Sequence, residues 1–353
     1  MPNIARAAAI RPLRWLPLPF ALLTGALATG ACYEDPHVPT QQEAGPWVPP
    51  PPVTPVVPPV EEPYGPPIDL TFVVDTGAIP GGRLVLAFTN DAWFGSGRIY
   101  SMLPDGTGLT PLTPSDEDAW QPVWSPDDAL IAYELYDGGI MVMRPDGSGR
   151  HLVANEGINP FWLPDGRIGF SCLGGICAVD ASGANPGMLL ERPNSDFDFG
   201  YTYSPDGSMI AFVRFVENES HVYYAGSEPY SIWVMRRDGT DLHRLTTTDP
   251  ASTTEFAPSW SRDGKQIAFF SSRYGIAVAD ADGGRLHGVS HSPSRVIGLS
   301  GPSWSPDGTK VLFSDGDYGK LYIANADGSG LIRRVTPVMQ GGYPWGSLSW
   351  SKR

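Results

Sequence analysis

Short apolar runs recur along the chain from residue 83 onwards, and clusters of Gly, Pro, Asp and Ser separate them. Runs such as 266–270 and 310–313 are rich in β-branched and aromatic residues, which favour strands. Each is followed by a variable loop, a second run such as 232–235, an Asp-Gly dipeptide and a short third run. This pattern predicts many short strands joined by tight turns, and no long helix after residue 31.

A seven-residue element precedes each of these groups of runs. In its fullest form it reads Pro-Ser-Trp-Ser-Pro-Asp-Gly, at 302–308. Proline and glycine fix the dihedral angles of a turn and aspartate bonds its backbone, so the element predicts an inner strand entering a turn. Its aromatic residue recurs at spacings of 38, 41, 57, 44 and 46 residues, which bracket a propeller blade of about 40–45 residues. The aromatic positions are Trp124, Trp162, Tyr203, Trp260, Trp304 and Trp350.

The two ends of the repeat complement each other. The last copy, at Trp350, has no strands after it, whereas the run 83–88 has no inner strand before it. We therefore expect residues 83–112 to supply three strands of one blade and residues 346–350 to supply the fourth, which removes exposed sheet edges. The prediction is an all-β chain whose residues 68–353 form a six-bladed β-propeller of four-stranded antiparallel blades. The segment 69–74 also has a strand-like sequence, but we assign it to none of the six blades.

The repeat resembles the propeller of TolB-type proteins, the WSPDG-repeat family of the bacterial periplasm. The resemblance covers residues 83–353, and five of the six copies retain the Trp. It implies a periplasmic interaction scaffold. TolB carries an α/β domain before its propeller, whereas a proline-rich segment stands in that place in this chain.

The N-terminus is typical of an export signal, which we place at residues 1–31. Arg6, Arg11 and Arg14 precede an apolar run, 15–28, that is short of the about 20 residues needed to span a bilayer. The ending 28–32 resembles a bacterial lipobox, which predicts lipid attachment at Cys32. The alternative is an ordinary cleaved signal with an incidental cysteine. The chain is thus expected to be an exported lipoprotein, membrane-anchored and facing the periplasm or the cell surface.

Residues 32–67 are interpreted as the lipidated N-terminus and a proline-rich tether. Thirteen prolines lie within 36–67, which favours extended polyproline II or a disordered spacer over helix or sheet. Three of the 24 basic residues and none of the 38 acidic residues precede Cys32, so the remainder has a net charge of −17. Nucleic acid is therefore not an expected partner, because phosphate binding needs clustered Lys and Arg.

Two further cysteines flank a glycine pair, in the segment 172–177. A two-residue turn at Gly174-Gly175 would place Leu173 opposite Ile176 and Cys172 opposite Cys177. That spacing fits a disulfide in an exported protein, and two cysteines alone are too few ligands for zinc.

Catalytic motifs of hydrolases, nucleotide-binding enzymes and zinc proteases are absent from the sequence. His151, His243 and His287 each follow the aspartate of an Asp-Gly turn by five residues, which predicts outer strands of three separate blades. We therefore expect no metal and no cofactor. The rival hypothesis is a polysaccharide lyase or hydrolase in the propeller mouth, with His221, Tyr224 and Arg273 as its groups.

The variable loops are the expected binding surface, because the second-to-third loops and the blade connections share one end of a propeller. Aromatic and acidic residues are frequent there. Aromatic side chains suit peptide or sugar contacts, although they also suit packing between loops. We expect a non-catalytic scaffold that binds a protein or peptidoglycan component of the envelope. The candidate residues are Trp93, Phe94, Trp120, Phe197, Phe199, His221, Tyr223, Tyr224, Tyr230, Tyr274 and Tyr318.

Overall fold

The computed structural model describes residues 79–89, 96–191, 198–215, 230–246, 254–290, 301–314, 321–330, 332–335 and 343–352. The predicted export signal, Cys32, the tether and the segment 69–74 lie outside these ranges. The regular elements within them are 24 β-strands, arranged in six four-stranded antiparallel sheets. Within the described ranges no helix is long and apolar enough to cross a bilayer.

Each sheet forms one blade, whose four strands follow one another from the inner to the outer edge. Blade 1 contains Tyr343–Trp350 (β24), Leu84–Thr89 (β1), Arg98–Met102 (β2) and Thr110–Pro111 (β3). Blade 2 contains Ala119–Trp124 (β4), Ile131–Leu135 (β5), Ile140–Met143 (β6) and His151–Ala154 (β7). Blade 3 contains Ile158–Trp162 (β8), Ile168–Cys172 (β9), Gly175–Val179 (β10) and Gly187–Glu191 (β11).

The other three blades repeat this order. Blade 4 contains Asp198–Tyr203 (β12), Met209–Phe215 (β13), Tyr230–Arg236 (β14) and His243–Arg244 (β15). Blade 5 contains Glu255–Trp260 (β16), Gln266–Ser271 (β17), Gly275–Asp280 (β18) and His287–Gly288 (β19). Blade 6 contains Ser303–Trp304 (β20), Lys310–Ser314 (β21), Leu321–Asn325 (β22) and Ile332–Val335 (β23).

The C-terminal strand closes the ring, as predicted. β24 pairs with β1, with Trp350 opposite Leu84, and the inner strands of the six blades contact one another in a closed cycle. The side chain of Trp350 is buried, and its Nε1 donates to the carbonyl of Gly81 at 2.9 Å. The Ser351 amide donates to the Arg83 carbonyl at 2.9 Å, and the Arg83 amide donates to the Ser351 hydroxyl at 2.7 Å. The molecule is a six-bladed β-propeller.

The hydrophobic core lies between the blades. Six clusters of buried side chains occur, one at each interface between neighbouring blades. Strand β1 shows how alternation produces this arrangement: Leu84, Leu86 and Phe88 pack towards blade 6, and Val85 packs towards blade 2. A strand with a neighbouring blade on each side is buried on both faces, which explains the continuous apolar runs of the sequence.

The repeated aromatic residue links adjacent blades. Its side chain is buried in four copies and half-buried in two, Trp162 and Tyr203, and in three copies the indole N–H donates to a backbone carbonyl of the preceding blade. These hydrogen bonds join Trp162 to Val123 at 3.1 Å, Trp260 to Thr202 at 3.2 Å, and Trp304 to Ser259 at 3.0 Å.

The Ser-Pro-Asp-Gly turns are held by their own side chains. In blade 4 the Ser204 hydroxyl donates to Asp206 Oδ1 at 2.6 Å and accepts the amide of Met209 at 3.0 Å. Asp206 also accepts the amide of Ser208 at 3.0 Å. The hydrogen bond from Ser204 is the main reason that the pKa of Asp206 lies below its ordinary value. The Asp-Gly chemistry is therefore architectural, which explains its repetition.

The two ends of the propeller differ. We call the end that carries the first-to-second and third-to-fourth strand turns, such as 125–130, 144–150 and 204–209, the turn face. The opposite end, with the second-to-third loops and the blade connections, is the loop face. Its described segments include 114–118, 136–139, 155–157, 172–174 and 272–274.

Candidate functional site

The inner strands of blades 2 to 5 each carry a bulge where they reach the loop face. The pairing register of each with its neighbour shifts at this point. One residue within each bulge has a left-handed backbone, although three of the four are not glycine. These residues and their φ angles are Gln121 (52°), Asn159 (53°), Gly200 (64°) and Ala257 (55°).

Two bulges are tied to the neighbouring blade. The Ser347 hydroxyl of β24 donates to Gln121 Oε1 at 2.5 Å, and the amide of Asn159 donates to Glu134 Oε2 at 2.6 Å. These bonds stabilise a backbone conformation that non-glycine residues rarely adopt. The inner strands of blades 2 and 3 are therefore each fastened to the preceding blade at their loop-face ends.

Carboxylates at the loop face accept hydrogen bonds from the protein. Asp118 accepts the amide of Gly97 at 2.7 Å and the indole N–H of Trp120 at 2.5 Å, which fixes the entry to blade 2. Glu255 is fully buried and accepts the hydroxyl of Thr246. These acids hold the backbone and side chains around them.

An ion pair lies at the start of the inner strand of blade 4. Arg214 Nε and Nη2 donate to the two carboxylate oxygens of Asp198 at 2.8 and 2.6 Å, and Asp198 is buried. The guanidinium carbon of Arg214 lies 5.2 Å from the ring centre of Phe212 and 5.0 Å from that of Trp233. The hydrogen bonds with Asp198 raise the pKa of Arg214. The pair is part of the scaffold beneath the loop face.

Three aromatic rings lie beside this ion pair at the loop-face end of blade 4. Tyr230 contacts Phe199 edge-on, with ring centres 5.4 Å apart, and contacts Phe215 at 5.7 Å. Phe199 is 41% exposed, whereas Tyr230 and Phe215 are half-buried. The edge-on contact with Tyr230 orients Phe199, so an exposed ring is presented at the loop-face end of blade 4.

The other described candidates are more buried. The indole of Trp120 covers Gly97 so closely that an added Cβ there would lie 2.4 Å from the ring. Tyr274 packs against the cluster between blades 4 and 5, and the guanidinium of Arg273 lies 5.5 Å from its ring centre. Packing between loops thus accounts for part of the aromatic content of this face. The remaining candidates, Trp93, Phe94, Phe197, His221, Tyr223, Tyr224 and Tyr318, lie outside the described residues.

The β9–β10 hairpin of blade 3 differs from the prediction. Cys172 pairs with Gly175, not with Cys177, so the turn residues are Leu173 and Gly174 and the predicted Gly174-Gly175 turn is wrong by one residue. Gly174 has a φ of +95°, as required at the third position of a type II turn. Cys172 and Cys177 are joined by a disulfide with a Cα–Cα distance of 5.7 Å. The shift places Leu173 at the tip, 96% exposed, a residue that sequence reasoning assigned to a strand.

The chain is similar to known proteins over its propeller. It is 31% identical over 151 residues to a TolB homolog of Chlorobium chlorochromatii, which covers 40% of this chain and 33% of that protein. It is 26% identical over 213 residues to an uncharacterised protein of Agrobacterium fabrum, which covers 55% and 68% of the two chains. The crystal structure of TolB from Acinetobacter baumannii superimposes with a TM-score of 0.59 at 22% identity, over 76% of this chain and 66% of that one.

The fold is a TolB-type β-propeller. The chain spans a third of the length of the Chlorobium relative and just under two thirds of the Acinetobacter structure. No family model matches the sequence.

Histidines of this TolB-type propeller occupy the positions predicted for them. His151, His243 and His287 lie on the outer strands of blades 2, 4 and 5. The His151 Nε2 lies 2.8 Å from the Ala181 carbonyl of blade 3, and the His287 Nε2 lies 2.8 Å from the Ala326 carbonyl of blade 6. His151 and His287 therefore link neighbouring blades, a role that their spacing alone did not indicate. In the described part of the chain, no three His, Cys, Asp or Glu side chains are grouped as metal ligands.

Proposed function

We propose that this chain is a non-catalytic binding module of the bacterial cell envelope, which engages a protein or peptidoglycan component through its loop face. The observation that carries the proposal is the exposed ring of Phe199, which Tyr230 contacts edge-on at the loop-face end of the inner strand of blade 4. Aromatic side chains fixed on a scaffold give large contact area at low entropic cost, which suits recognition.

The state of the polar groups supports binding over catalysis. Asp118, Asp198 and Glu255 are engaged with protein donors. A general acid or base needs instead to reach a substrate proton. The resemblance to periplasmic scaffolds of the TolB type supports the same conclusion.

The proposal includes an envelope anchor. A lipid on Cys32 and the proline-rich segment that follows would hold the propeller on the order of 100 Å from the bilayer. Labelling cells with a fatty-acid precursor tests this part: wild-type protein is expected to take up label and Cys32→Ser protein is not. Equal labelling of both would contradict the anchor.

Binding through the loop face is tested with two exposed apolar side chains at opposite ends of the propeller. Phe199→Ala alters the loop face, and Leu103→Ala, at a position 37% exposed on the turn face, is the matched control. To detect a protein partner, cells that express each full-length variant are treated with formaldehyde. To detect binding to peptidoglycan, each purified variant is sedimented with purified peptidoglycan. Phe199→Ala is expected to lose the crosslinked species or the sedimentation, and Leu103→Ala to retain them. Equal retention by both variants would contradict the loop-face proposal.

A further inference from the structure

The tip of the β9–β10 hairpin presents an apolar side chain to solvent on the loop face. Leu173 is 96% exposed, the highest value of any large apolar residue in the described part of the chain. One exposed leucine is common in proteins and carries no meaning by itself. Leu173 differs from such a residue because a disulfide lies beneath its turn and because apolar and acidic residues lie near it.

The disulfide holds the tip in one conformation. The Cys172–Cys177 bond joins the two strands directly beneath the turn, and both cysteines pack against the core between blades 2 and 3. A side chain on such a base loses little backbone freedom when a partner binds it. Leu173 is therefore pre-organised for contact.

Two further exposed apolar residues lie close to the hairpin. Met188 is 48% exposed, and a Cβ added at Gly174 would lie 3.6 Å from its terminal methyl. Ile158 is 46% exposed and pairs with Ser171 of the hairpin. Met188 thus adds apolar surface beside the tip, on the sheet face of Cys177, whereas Ile158 lies on the opposite face.

Acidic residues outnumber basic ones in the described loop-face segments of blades 2 and 3. The described residues of blades 2 and 3 near this end of the propeller are 114–118, 136–139, 155–159, 172–175 and 187–191. They contain no Lys or Arg, and Arg192 directly follows the last of them in the sequence. Glu191 lies directly opposite Gly175 at the base of the turn and is exposed. Among the described residues, Arg150 reaches Glu117 from the turn face, with its Nε 3.7 Å from the carboxylate. The acids of these segments are Asp116, Glu117, Asp118, Asp137, Glu156 and Glu191.

We propose that Leu173 is the anchor residue with which blade 3 docks into a protein partner, and that the partner presents an apolar socket rimmed by Lys or Arg. Charge complementarity selects this partner, because the acidic segments would be repelled by an anionic lipid surface and attracted by a basic protein. The inference rests on the proposed function, since it assigns the loop face a specific contact.

Site-specific photo-crosslinking tests the location of the contact. p-Benzoylphenylalanine replaces Leu173, Phe199 or Leu242 in the full-length protein, expressed in its own cells. Leu242 is 39% exposed on the turn face and serves as the control. We expect a crosslinked protein partner from position 173 and none from position 242. A crosslink from 199 with none from 173 would overturn the anchor and leave the proposed function standing, whereas a crosslink from 242 alone would overturn both.

Affinity measurements with the purified crosslinked partner test the chemistry. Leu173→Ala is expected to weaken binding about tenfold, because the side chain leaves water on docking. Glu191→Lys is expected to slow association and reduce its salt dependence, while Leu242→Ala changes neither. Unchanged affinity of Leu173→Ala would overturn the inference. Leu173-dependent binding of the purified protein to phosphatidylcholine–phosphatidylglycerol vesicles would overturn it as well, because the occupant would then be lipid.

Discussion

The indole Nε1 of Trp304 donates a hydrogen bond to the backbone carbonyl of Ser259, 3.0 Å away in the preceding blade. Trp162 and Trp260 make the same contact with the blades before them. The repeated Trp therefore fills the interface between two blades and also fastens one inner strand to the next. Trp124 differs, because its buried Nε1 has no hydrogen-bond partner in the described part of the chain.

This difference allows the hydrogen bond to be measured separately from the packing. Trp304→Phe removes the indole donor to the Ser259 carbonyl, so we expect the free energy of unfolding to fall by about 1 kcal/mol more than for Trp124→Phe. The two side chains are similarly buried, at 3% and 7% exposure, which makes Trp124→Phe the matched control. Urea denaturation of both variants gives the comparison. Equal losses would show that the indole N–H contributes nothing.

The blades could be predicted because the repeat appears six times in one chain. Each copy places apolar residues at both faces of the middle strands, since every blade has two neighbours, and the incomplete copies at the two ends complete each other. The pairing of Trp350 with Leu84 confirms the predicted closure. Because the same pattern recurs six times, a strand that is hard to assign in one copy can be assigned from the others.

The β9–β10 turn could not be predicted from the same rules. Leu173-Gly174 and Gly174-Gly175 both supply glycine for a two-residue turn, and local propensity favours the glycine pair. The structure uses a turn with positive φ only at its second central residue, so one glycine suffices there. The left-handed bulges at Gln121, Asn159 and Ala257 were also missed. Each of these residues precedes a proline, which is the one signal in the sequence that could have marked them.

Closure of the ring by the last strand leads to a second prediction. Trp350 is 2% exposed, packs between blades 6 and 1, and donates to Gly81. Trp350→Ala is expected to lower the free energy of unfolding by about 3–5 kcal/mol. Truncation of the exposed Leu103 to Ala is the control, and we expect it to change stability little. A loss no larger than that of the control would mean that β24 does not carry the closure.

Acid sensitivity follows from the turn aspartates. The pKa values of Asp206 and Asp263 lie below their ordinary value, and the largest cause is the hydrogen bond that each accepts from a serine, Ser204 and Ser261 respectively. A lowered pKa in the folded state contributes stability above the unfolded value of about 3.9, and this contribution is lost as the pH falls through the folded pKa. We therefore expect the urea concentration at the unfolding midpoint to decrease when the pH is lowered below about 4. Ser204→Ala should raise the pKa of Asp206, measured by carboxyl NMR titration, and an unchanged titration would contradict this account.

Removing one partner of the buried Asp198–Arg214 pair is predicted to destabilise the fold strongly, whereas replacing both partners is predicted to destabilise it less. Arg214→Met leaves the Asp198 carboxylate buried without its cation, so we expect a loss of about 3–5 kcal/mol. Asp198→Asn combined with Arg214→Met should recover much of that loss, which a double-mutant cycle measures. The surface pair of Arg285 and Asp280 provides the control, since Arg285 is exposed and its removal should leave stability unchanged. Additive effects of the two core changes would contradict a coupled pair.

The disulfide should support the tip of blade 3 more than it supports the fold. A loop closed between Cys172 and Cys177 is short, so its loss should lower the free energy of unfolding by about 2 kcal/mol in the chain-entropy model. The variant Cys172→Ser with Cys177→Ser should therefore remain folded, while the amides of Leu173 and Gly174 exchange faster with deuterium because the two strands are no longer joined beneath the turn. Ser171→Ala, in the same strand and with its hydroxyl unpaired in the described part of the chain, is the control that should leave exchange unchanged. Thiol labelling of wild-type protein purified without reductant, before and after reduction, checks the bond itself. The account would be contradicted if Cys172 and Cys177 reacted with the label before reduction. It would also be contradicted if the double substitution left the exchange of the tip amides unchanged, because the strands alone would then hold Leu173.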